Sequence, residues 1–160
     1  MEPLPTVDAV LAELASLGVL VPAGRVRVDG YGDSDSLSQE LLELIRTGQK
    51  RAGTSLLWAA EADGQALPEG GDIEIVVDHL NRPSIITRIV QVEVVPFCDV
   101  SAEYAAAEGE GDGSLEYWRH AHWSFFGREC IRISREPSEN MPVVCSVFEV
   151  LNVLPSATGT

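Results

Sequence analysis

The sequence has little positive charge, and almost none of that charge is lysine. Eleven Lys and Arg residues face 25 Asp and Glu residues, which gives a net charge of −14, and Lys50 is the only lysine. A protein that holds nucleic acid over its general surface is basic, because much of its affinity comes from neutralised phosphates. A nucleotide or nucleic-acid ligand must therefore be small here, or must enter a locally basic pocket.

The sequence is also poor in cysteine and in long apolar runs. Cys98, Cys130 and Cys145 are widely spaced and odd in number, which argues against a disulfide framework and against a thiolate zinc site. No apolar run approaches the ~20 residues that cross a bilayer, and the first ten residues lack the basic and apolar regions of a signal peptide. We therefore expect a cytoplasmic protein without a membrane segment, a bound metal or another cofactor.

The length of 160 residues fits one domain of ordinary size, and we predict a single domain over 1–160. Apolar residues at helical spacing predict an N-terminal extension, a helix over 6–18. The last residues, 154–160, have the composition of a frayed tail. Between them, strands and helices mix without a regular βαβ rhythm, which indicates the α+β class with a mostly antiparallel sheet.

Local signals predict the elements inside that domain. A capping box at Ser36 and Gln39 predicts a second helix that ends at Gly48. Two β-rich runs, 73–77 and 84–95, predict an antiparallel hairpin. The remaining predictions are a strand at 25–28, a short helix at 99–107, a glycine-rich acidic loop at 108–113, an aromatic helix after Ser114 and a strand at 143–153.

Lys50 follows the predicted second helix, and two hydroxyl residues, Thr54 and Ser55, come shortly after it. A lysine that is partly desolvated in a pocket can have a lowered pKa and can act as a base or as a phosphate anchor. A neighbouring hydroxyl can then be activated as a nucleophile, or can orient a water molecule. The alternative is a solvated lysine in a loop, which is the more common environment for this residue type.

Three carboxylates alternate with glycines in the acidic loop, beginning at Glu108 and Glu110. Crowded carboxylates raise one another's pKa, which suits acid–base chemistry or cation binding. A calcium loop of the EF-hand type is excluded, because Arg119 stands where a bidentate glutamate would be required. The alternative is an acidic loop that only caps the helix after Ser114, where negative charge favours the positive end of the helix dipole.

The aromatic helix carries two histidines, His120 and His122, that lie about 200° apart around its axis and cannot chelate one metal together. Its aromatic side chains are predicted to be mostly core, although one exposed tryptophan could stack on a base. The arginines between 119 and 135 could supply a local positive patch, or could pair with the many acids of the chain. The aromatic residues are Tyr117, Trp118, Trp123, Phe125 and Phe126, and the arginines are Arg119, Arg128, Arg132 and Arg135.

Five segments of the chain resemble the ASCH family, in particular its longer bacterial branch. They are LLELIRTGQKRAGTSLLWAAE, LPEGGDIEIVVD, VEVVPF, AAAEGEGDGSLEYWRHAHWSFFGREC and MPVVCSVFEV, and they cover most of residues 32–152 in family order. The resemblance implies a PUA-like fold, a small mixed β-barrel flanked by helices, with a cleft beside the GxK motif. It also implies RNA or modified nucleosides as ligands, and for some members a ribonuclease activity or an amidohydrolase activity on acylated cytidine.

The hydrolase branch of this family uses a Lys, a Thr and a Glu, and the resemblance places the first two on particular residues. The family Gly and Lys fall on Gly48 and Lys50. The family Thr falls on Gly53, which has no hydroxyl, while Thr54 follows one position later and Ser55 stands where some members have Arg. A shift of one residue changes which way a side chain points, so the identity of the nucleophile is left open between Thr54 and Ser55.

The resemblance offers two candidates for the glutamate, Glu108 and Glu110, and we favour Glu110 as the acid–base residue. Near the end of the chain, Val144, Cys145 and Ser146 stand where the branch often has VCE. A carboxylate that could line the cleft is therefore missing from this chain.

With this resemblance, we predict a cleft that binds RNA, a nucleotide or a modified nucleoside and that hydrolyses its ligand. The predicted catalytic residues are Lys50, Thr54, Ser55 and Glu110, and the predicted ligand-binding residues are Gly48, Arg51, Glu108, Trp118 and Arg119. Two other interpretations stay open. One is a non-catalytic reader of RNA or modified nucleotides, and the other is a protein-interaction domain whose cleft has degenerated.

Overall fold

A computed structural model describes residues 3–155 of the chain. The helices are α1 (Val7–Ser16), α2 (Asp35–Arg46), α3 (Leu57–Ala62), α4 (Ala102–Glu108) and α5 (Leu115–Arg132), and the strands are β1 (Val26–Asp29), β2 (Ala52–Leu56), β3 (Ile73–Val77), β4 (Pro83–Pro96) and β5 (Pro142–Val153). No helix within residues 3–155 combines the length and the apolar character needed to cross a membrane.

The strands form one sheet in the order β1-β3-β4-β5-β2. β3 and β4 pair antiparallel, with Ile75 opposite Ile86, which confirms the predicted hairpin. β2 also pairs antiparallel with β5, while β1 runs parallel to β3. The predicted α+β class with a mostly antiparallel sheet is therefore confirmed.

The closed barrel that the resemblance implied is not confirmed, because the sheet is open. β1 and β2 are the two ends of the strand order, and among the described strands no pairing joins them. They are only four and five residues long. The chain passes from β2 directly into α3, so β2 has no further residues with which to close the sheet.

Contacts divide the described residues into two compact units. Unit 1 comprises 3–48, 70–90 and 148–155, and unit 2 comprises 49–69 and 91–147. Each unit has an apolar core of its own. The single domain over 1–160 stays a prediction.

The core of unit 1 joins α1 to the sheet. Val10 and Leu14 of α1 pack with Ile73 and Ile75 of β3, and full burial of one such side chain contributes about 1.5–3 kcal/mol. α1 lies within the predicted 6–18 and begins at Thr6, whose side-chain oxygen accepts a hydrogen bond from the backbone N–H three residues later. That cap satisfies one of the free N–H groups of the first turn.

In unit 1, the start of α2 and the start of the C-terminal tail differ from the sequence prediction. α2 is capped by Ser34 and not by Ser36, because Ser34 Oγ accepts the hydrogen bond from Leu37 N at 3.2 Å. Leu154 is buried and its backbone N–H donates to a carbonyl of β4, although fraying was expected from this residue onward. Residues 156–160 of the expected tail lie outside the described residues.

Unit 1 also contains a pair of acids in contact, one buried and one partly buried. Asp29 of β1 and Glu74 of β3 share a hydrogen bond between their carboxyl groups, and Glu74 is only 4% exposed. Burial raises the pKa of both groups, that of Glu74 well above its ordinary value, and the Arg27 guanidinium opposes this only in part. The pair therefore keeps a proton at pH values where solvated carboxyl groups have lost theirs.

The core of unit 2 is aromatic. Phe97, Trp118 and Phe126 pack together, with ring centroids 5.3 Å apart for Phe97 and Trp118 and 6.3 Å apart for Phe97 and Phe126. Trp118 and Phe126 are buried, as predicted for the aromatic helix, whereas Tyr117 and Trp123 are about two-fifths exposed. This core fixes α5 in the unit and so determines where its polar side chains point.

Candidate functional site

Lys50 follows α2 and is buried in unit 2, with 1% of its surface exposed. Its Nζ donates to Glu108 Oε1 at 2.7 Å, to Glu110 Oε2 at 2.9 Å and to the Ala52 carbonyl at 2.8 Å. Burial lowers the pKa of Lys50, but the charges of Glu108 and Glu110 outweigh this effect and the pKa is raised. The prediction of a solvated lysine and the prediction of a lowered pKa are therefore both wrong. Lys50 is an ammonium group rather than a base.

Glu108 ends α4 and is the centre of this cluster. Its Oε2 accepts hydrogen bonds from Thr54 Oγ1 at 2.5 Å and from Trp118 Nε1 at 2.5 Å, and His122 Nε2 lies 3.2 Å from the same oxygen. Burial alone would raise the pKa of Glu108, but Lys50 and then His122 hold it well below its ordinary value. Glu108 is therefore ionised although its side chain is almost wholly buried.

Glu110 also contacts Lys50, but its environment differs from that of Glu108. Its side chain is 17% exposed and shares a hydrogen bond with Glu108. Burial raises the pKa of Glu110, and Lys50 offsets this only in part because the charge of Glu108 raises the pKa further. The sequence favoured Glu110 over Glu108, and the structure brings both to Lys50 with different protonation: Glu108 is ionised, and Glu110 can carry a proton.

His122 of α5 joins the cluster, which the sequence did not predict. Its Nδ1 lies 2.9 Å from the Trp118 carbonyl and its Nε2 lies 3.2 Å from the Glu108 carboxylate. Both neighbours only accept hydrogen bonds, so each ring nitrogen donates to its neighbour only when it carries a proton, and a ring that donates to both is an imidazolium. The ring also stacks on the Trp118 indole, with centroids 4.3 Å apart and planes 17° apart, and an aromatic face favours a cation.

We predict that the pKa of His122 lies above its ordinary value of 6.5. Burial lowers this pKa, but the hydrogen bond to Glu108 and the charge of Glu108 raise it by more. Long-range ¹H–¹⁵N NMR spectra should show both ring nitrogens protonated at pH 7. The pKa should fall in Glu108→Gln, and a pKa below 6.5 in the unmodified chain would show that the ring is a neutral hydrogen-bond partner.

Thr54 is the hydroxyl residue that the structure brings to the cluster, and Ser55 is not. Successive side chains of a strand point to opposite faces, so that Thr54 faces Glu108 whereas Ser55 is exposed. The Tyr104 hydroxyl lies 3.0 Å from Thr54 Oγ1 and donates to the Gly53 carbonyl at 2.7 Å. Burial and then the charge of Glu108 raise the pKa of Tyr104, so this group is a neutral phenol that holds β2 in place.

The acidic loop owes its path to its glycines. Gly109 has φ 65°, and a Cβ there would lie 2.1 Å from the Gln49 carbonyl oxygen. Gln49 Nε2 in turn donates to the Gly109 carbonyl at 2.7 Å. Only glycine combines this backbone conformation with so close an approach, and the turn places Glu108 and Glu110 on both sides of Lys50.

Of the four other predicted ligand residues, Trp118 contacts the cluster through Glu108, and no described contact joins Gly48 or the side chains of Arg51 and Arg119 to it. Arg51 is exposed and contributes only its backbone N–H, which donates to the Ala107 carbonyl at 2.8 Å. Arg119 is exposed, with its guanidinium 3.5 Å from the Cys98 carbonyl. Trp118 is buried between Phe97 and His122, so its indole presents no open face on which a base could stack. Gly48 belongs to unit 1, where it ends α2 with φ 83°.

Glu108, Glu110 and His122 each offer one ligand atom, and these atoms lie within 4.8 Å of one another. Within residues 3–155, these are the residues whose geometry could hold a metal ion. However, Lys50 Nζ already lies within 2.9 Å of both carboxylates. An ammonium at this position neutralises the carboxylates as a cation would, so the geometry fits an ion-paired site better than a metal centre.

Comparisons with known proteins agree with this architecture. A family model described as ASCH domain matches residues 28–152. An ASCH domain from Lactobacillus crispatus JV V101 is 30% identical, with a TM-score of 0.77 over 89% of this chain and 92% of that chain. Protein EF3133 from Enterococcus faecalis V583 is 29% identical, with a TM-score of 0.75 over 92% of this chain and 88% of that chain.

The comparison with curated proteins finds no significant match. The two solved structures support the PUA-like α+β fold that the resemblance implied. The matched model covers most of the chain, from β1 to the end of β5. The chain therefore belongs to the ASCH domain family, which is generally linked to RNA binding.

Proposed function

We propose that this chain binds RNA or a modified nucleoside at the cluster around Lys50 and hydrolyses an acyl group from that ligand. One contact carries the proposal: Thr54 Oγ1 lies 2.5 Å from an oxygen of the ionised Glu108. The other oxygen of Glu108 is held by the Lys50 ammonium at 2.7 Å. A hydroxyl within hydrogen-bond reach of a base that a third group orients is the arrangement that acyl transfer requires.

In the first step Thr54 is the nucleophile. A bond forms between Thr54 Oγ1 and the acyl carbon while the hydroxyl proton passes to Glu108. Negative charge then develops on the acyl oxygen. The Lys50 ammonium, whose three N–H groups already donate to Glu108, Glu110 and the Ala52 carbonyl, stabilises this charge only through its field and not by direct contact.

Glu110 completes the reaction as a proton carrier. The bond between the acyl carbon and the nitrogen of the base breaks, and a protonated Glu110 donates its proton to that nitrogen. The proton on Glu108 returns to Glu110 through their shared hydrogen bond. Water then cleaves the Thr54 ester, so the net reaction consumes one amide and one water and yields an amine and a carboxylic acid.

A non-catalytic reader is the second candidate, and burial favours it. Lys50 and Glu108 are each only 1% exposed, so a ligand contacts them only by way of the less buried Thr54 and Glu110. The low pKa of Glu108 also makes it a weak base. In that case the cluster would hold β2 and the acidic loop in a fixed shape for binding alone.

A turnover assay separates these candidates. N-acylated cytidine, its 5′-phosphate and a short RNA that contains it would be incubated with the chain, and the products separated by chromatography. We expect release of the free acid and the unmodified base. Binding of these probes without turnover would identify a reader, and cleavage of the RNA chain without acid release would overturn the proposed acyl hydrolysis in favour of a ribonuclease.

Glu110→Gln should lower kcat at least about a hundredfold and should remove the limb of the pH–rate profile that Glu110 contributes. The reason is that glutamine keeps the shape of the side chain but cannot transfer a proton. Glu116→Gln, an exposed substitution of the same type in α5, is the matched control and should leave kcat unchanged. Equal activity in both variants would remove Glu110 from the mechanism.

A further inference from the structure

Unit 1 contains a second polar site, separate from the residues of the hydrolytic proposal. A cavity of about 230 Å³ lies between α2 and the turn that joins β3 to β4. The polar residues that line it are Ser38, Gln39, Arg46, Asp78, His79 and Arg82. This volume is below the 300–1,000 Å³ of typical drug-sized pockets, so the cavity fits a small polar group.

Arg82 directs positive charge into this cavity. Its Nε lies 3.3 Å from Asp78 Oδ2, and within residues 3–155 its two Nη atoms make no hydrogen bond. Asp78 is held by the turn itself, because its Oδ1 accepts the backbone N–H groups of Leu80 at 2.9 Å and Arg82 at 3.0 Å. The one carboxylate among the described lining residues is therefore already committed to holding the turn.

Arg46 supplies the second positive charge, from the last turn of α2. Its Nη2 donates to the Ser84 hydroxyl, which fixes the guanidinium against β4. Its Nη1 also lies 3.6 Å from a carboxylate oxygen of Glu43, whose side chain is 65% exposed, so that solvent screens most of this interaction. Two arginines thus face one aspartate in the lining, in a chain whose net charge is −14.

His79 and Gln39 add polar groups to the same wall. His79 Nε2 lies 3.2 Å from Gln39 Nε2, and this contact joins α2 to the turn. An arginine guanidinium presents planar paired donors, which match the oxygens of a phosphate. The lining therefore resembles an anion site more closely than a site for an apolar or cationic ligand.

We propose that this cavity binds a phosphate group, either as free phosphate or as the terminal phosphate of a nucleotide. Arg46 and Arg82 bind its oxygens, and Ser38 and His79 line the remaining wall. The proposal concerns unit 1 alone and does not depend on hydrolysis at Thr54. It gives an acidic chain a confined region of positive charge, which is where an anionic ligand can bind against a net charge of −14.

Isothermal titration calorimetry at low ionic strength tests this site with inorganic phosphate, 5′-AMP and adenosine. We expect phosphate and AMP to bind, and Arg46→Gln and Arg82→Gln each to weaken that binding about tenfold, which corresponds to about 1.4 kcal/mol. The matched control is Arg88→Gln, since Arg88 pairs with Glu149 at 2.8 Å on the exposed surface of unit 1. Its affinity should stay within twofold of the unmodified chain.

The two sources of phosphate are distinguished by the same titrations. Equal affinities for phosphate and AMP would identify free phosphate as the ligand, and tighter binding of AMP would identify a nucleotide. No binding of either at 20 mM, or equal losses in the Arg88 control, would overturn the proposal. If Arg46→Gln does not fold, Arg46→Lys replaces it, because lysine keeps the positive charge but loses the paired donors of the guanidinium. Thr54→Val should bind phosphate as the unmodified chain does, whatever its hydrolytic activity.

Discussion

Thr54→Val should abolish acyl hydrolysis, with a loss on the order of ten-thousandfold or more in single-turnover rate, because it removes the nucleophile itself. Valine keeps the branched shape of threonine, so β2 should keep its pairing with β5. The lost hydrogen bond to Glu108 should cost about 1–3 kcal/mol of folding free energy. Thermal unfolding followed by circular dichroism would check that the variant is folded under the assay conditions.

Ser55→Ala is the matched control for Thr54→Val. It removes a hydroxyl from the neighbouring position of the same strand, but from the exposed face. Its rate should equal that of the unmodified chain. If Thr54→Val keeps its activity while Ser55→Ala loses it, the nucleophile has been assigned to the wrong face of β2.

Lys50→Met should lower the free energy of unfolding by about 3–5 kcal/mol, the usual cost of removing one partner of a buried ion pair. The Lys50 ammonium holds the two glutamates together, since its Nζ lies 2.7 Å from Glu108 Oε1 and 2.9 Å from Glu110 Oε2. Without it, an almost wholly buried carboxylate loses its main source of compensation. Urea unfolding at pH 7, with the change read from the midpoint at constant slope, measures this loss.

Two variants make this measurement specific. Arg132→Gln removes a surface ion pair to Asp63, and we expect a change within about 1 kcal/mol. The double variant Lys50→Met with Glu108→Gln should be less destabilised than the two single changes added together, because the second change removes the carboxylate left behind by the first. A loss below about 1 kcal/mol in Lys50→Met alone would mean that water reaches the cluster.

The stability of unit 2 depends on pH, and the direction of this dependence follows from the pKa shifts of the cluster residues. Glu108 has a lowered pKa in the folded chain, so its contribution to stability is present above the ordinary value of 4.5 and is lost as the pH falls through the folded value. Lys50 and His122 have raised pKa values, so their contributions are present at low pH and are lost as the pH rises through theirs. Unit 2 therefore loses these contributions at both extremes of pH.

Much of the fold was predictable from local sequence signals. Ile73–Val77 and the long run that became β4 carry β-branched residues, and Ser114 caps α5 as predicted, with its Oγ accepting from Tyr117 N at 3.1 Å. β2 was not predicted, because Ala52–Leu56 contains a glycine, an alanine and two small hydroxyl residues. Its strand conformation depends on pairing with β5, which no local pattern reveals.

The composition of the site was predictable in part. Lys50, Thr54 and the two glutamates were identified from their chemistry, but the choice between Glu108 and Glu110 depended on the turn at Gly109. The two acids stand on either side of a single glycine, and their local sequence contexts are nearly identical. In the folded chain Gly109 lies against the Gln49 carbonyl, and the side chain of Glu108 is buried whereas that of Glu110 is partly exposed.

His122 was missed because it was compared only with His120. The useful comparison was with Trp118, four residues earlier, since residues four apart share one face of a helix. The pattern of a buried tryptophan and a histidine one turn later predicts two polar N–H groups directed at the same partner. In the structure that partner is Glu108.

The alternation of side chains along β2 also changes the meaning of Gly53. The resemblance put the family threonine at this position, but Thr54 is the residue that faces Glu108. A threonine introduced at Gly53 would point to the opposite face of the strand. It would therefore not place its hydroxyl beside Glu108.

The acidic pair of unit 1 makes the formation of that unit a proton-consuming reaction. Asp29 and Glu74 both have raised pKa values in the folded chain, so the folded chain binds more protons than the unfolded chain over the pH range between the two sets of values. The contribution of these two groups to folding stability is fully present below their ordinary pKa values near 4. It is lost as the pH rises through their pKa values in the folded chain. Unfolding within that pH range then releases protons to the buffer, so the heat of unfolding includes the ionisation enthalpy of whichever buffer is used.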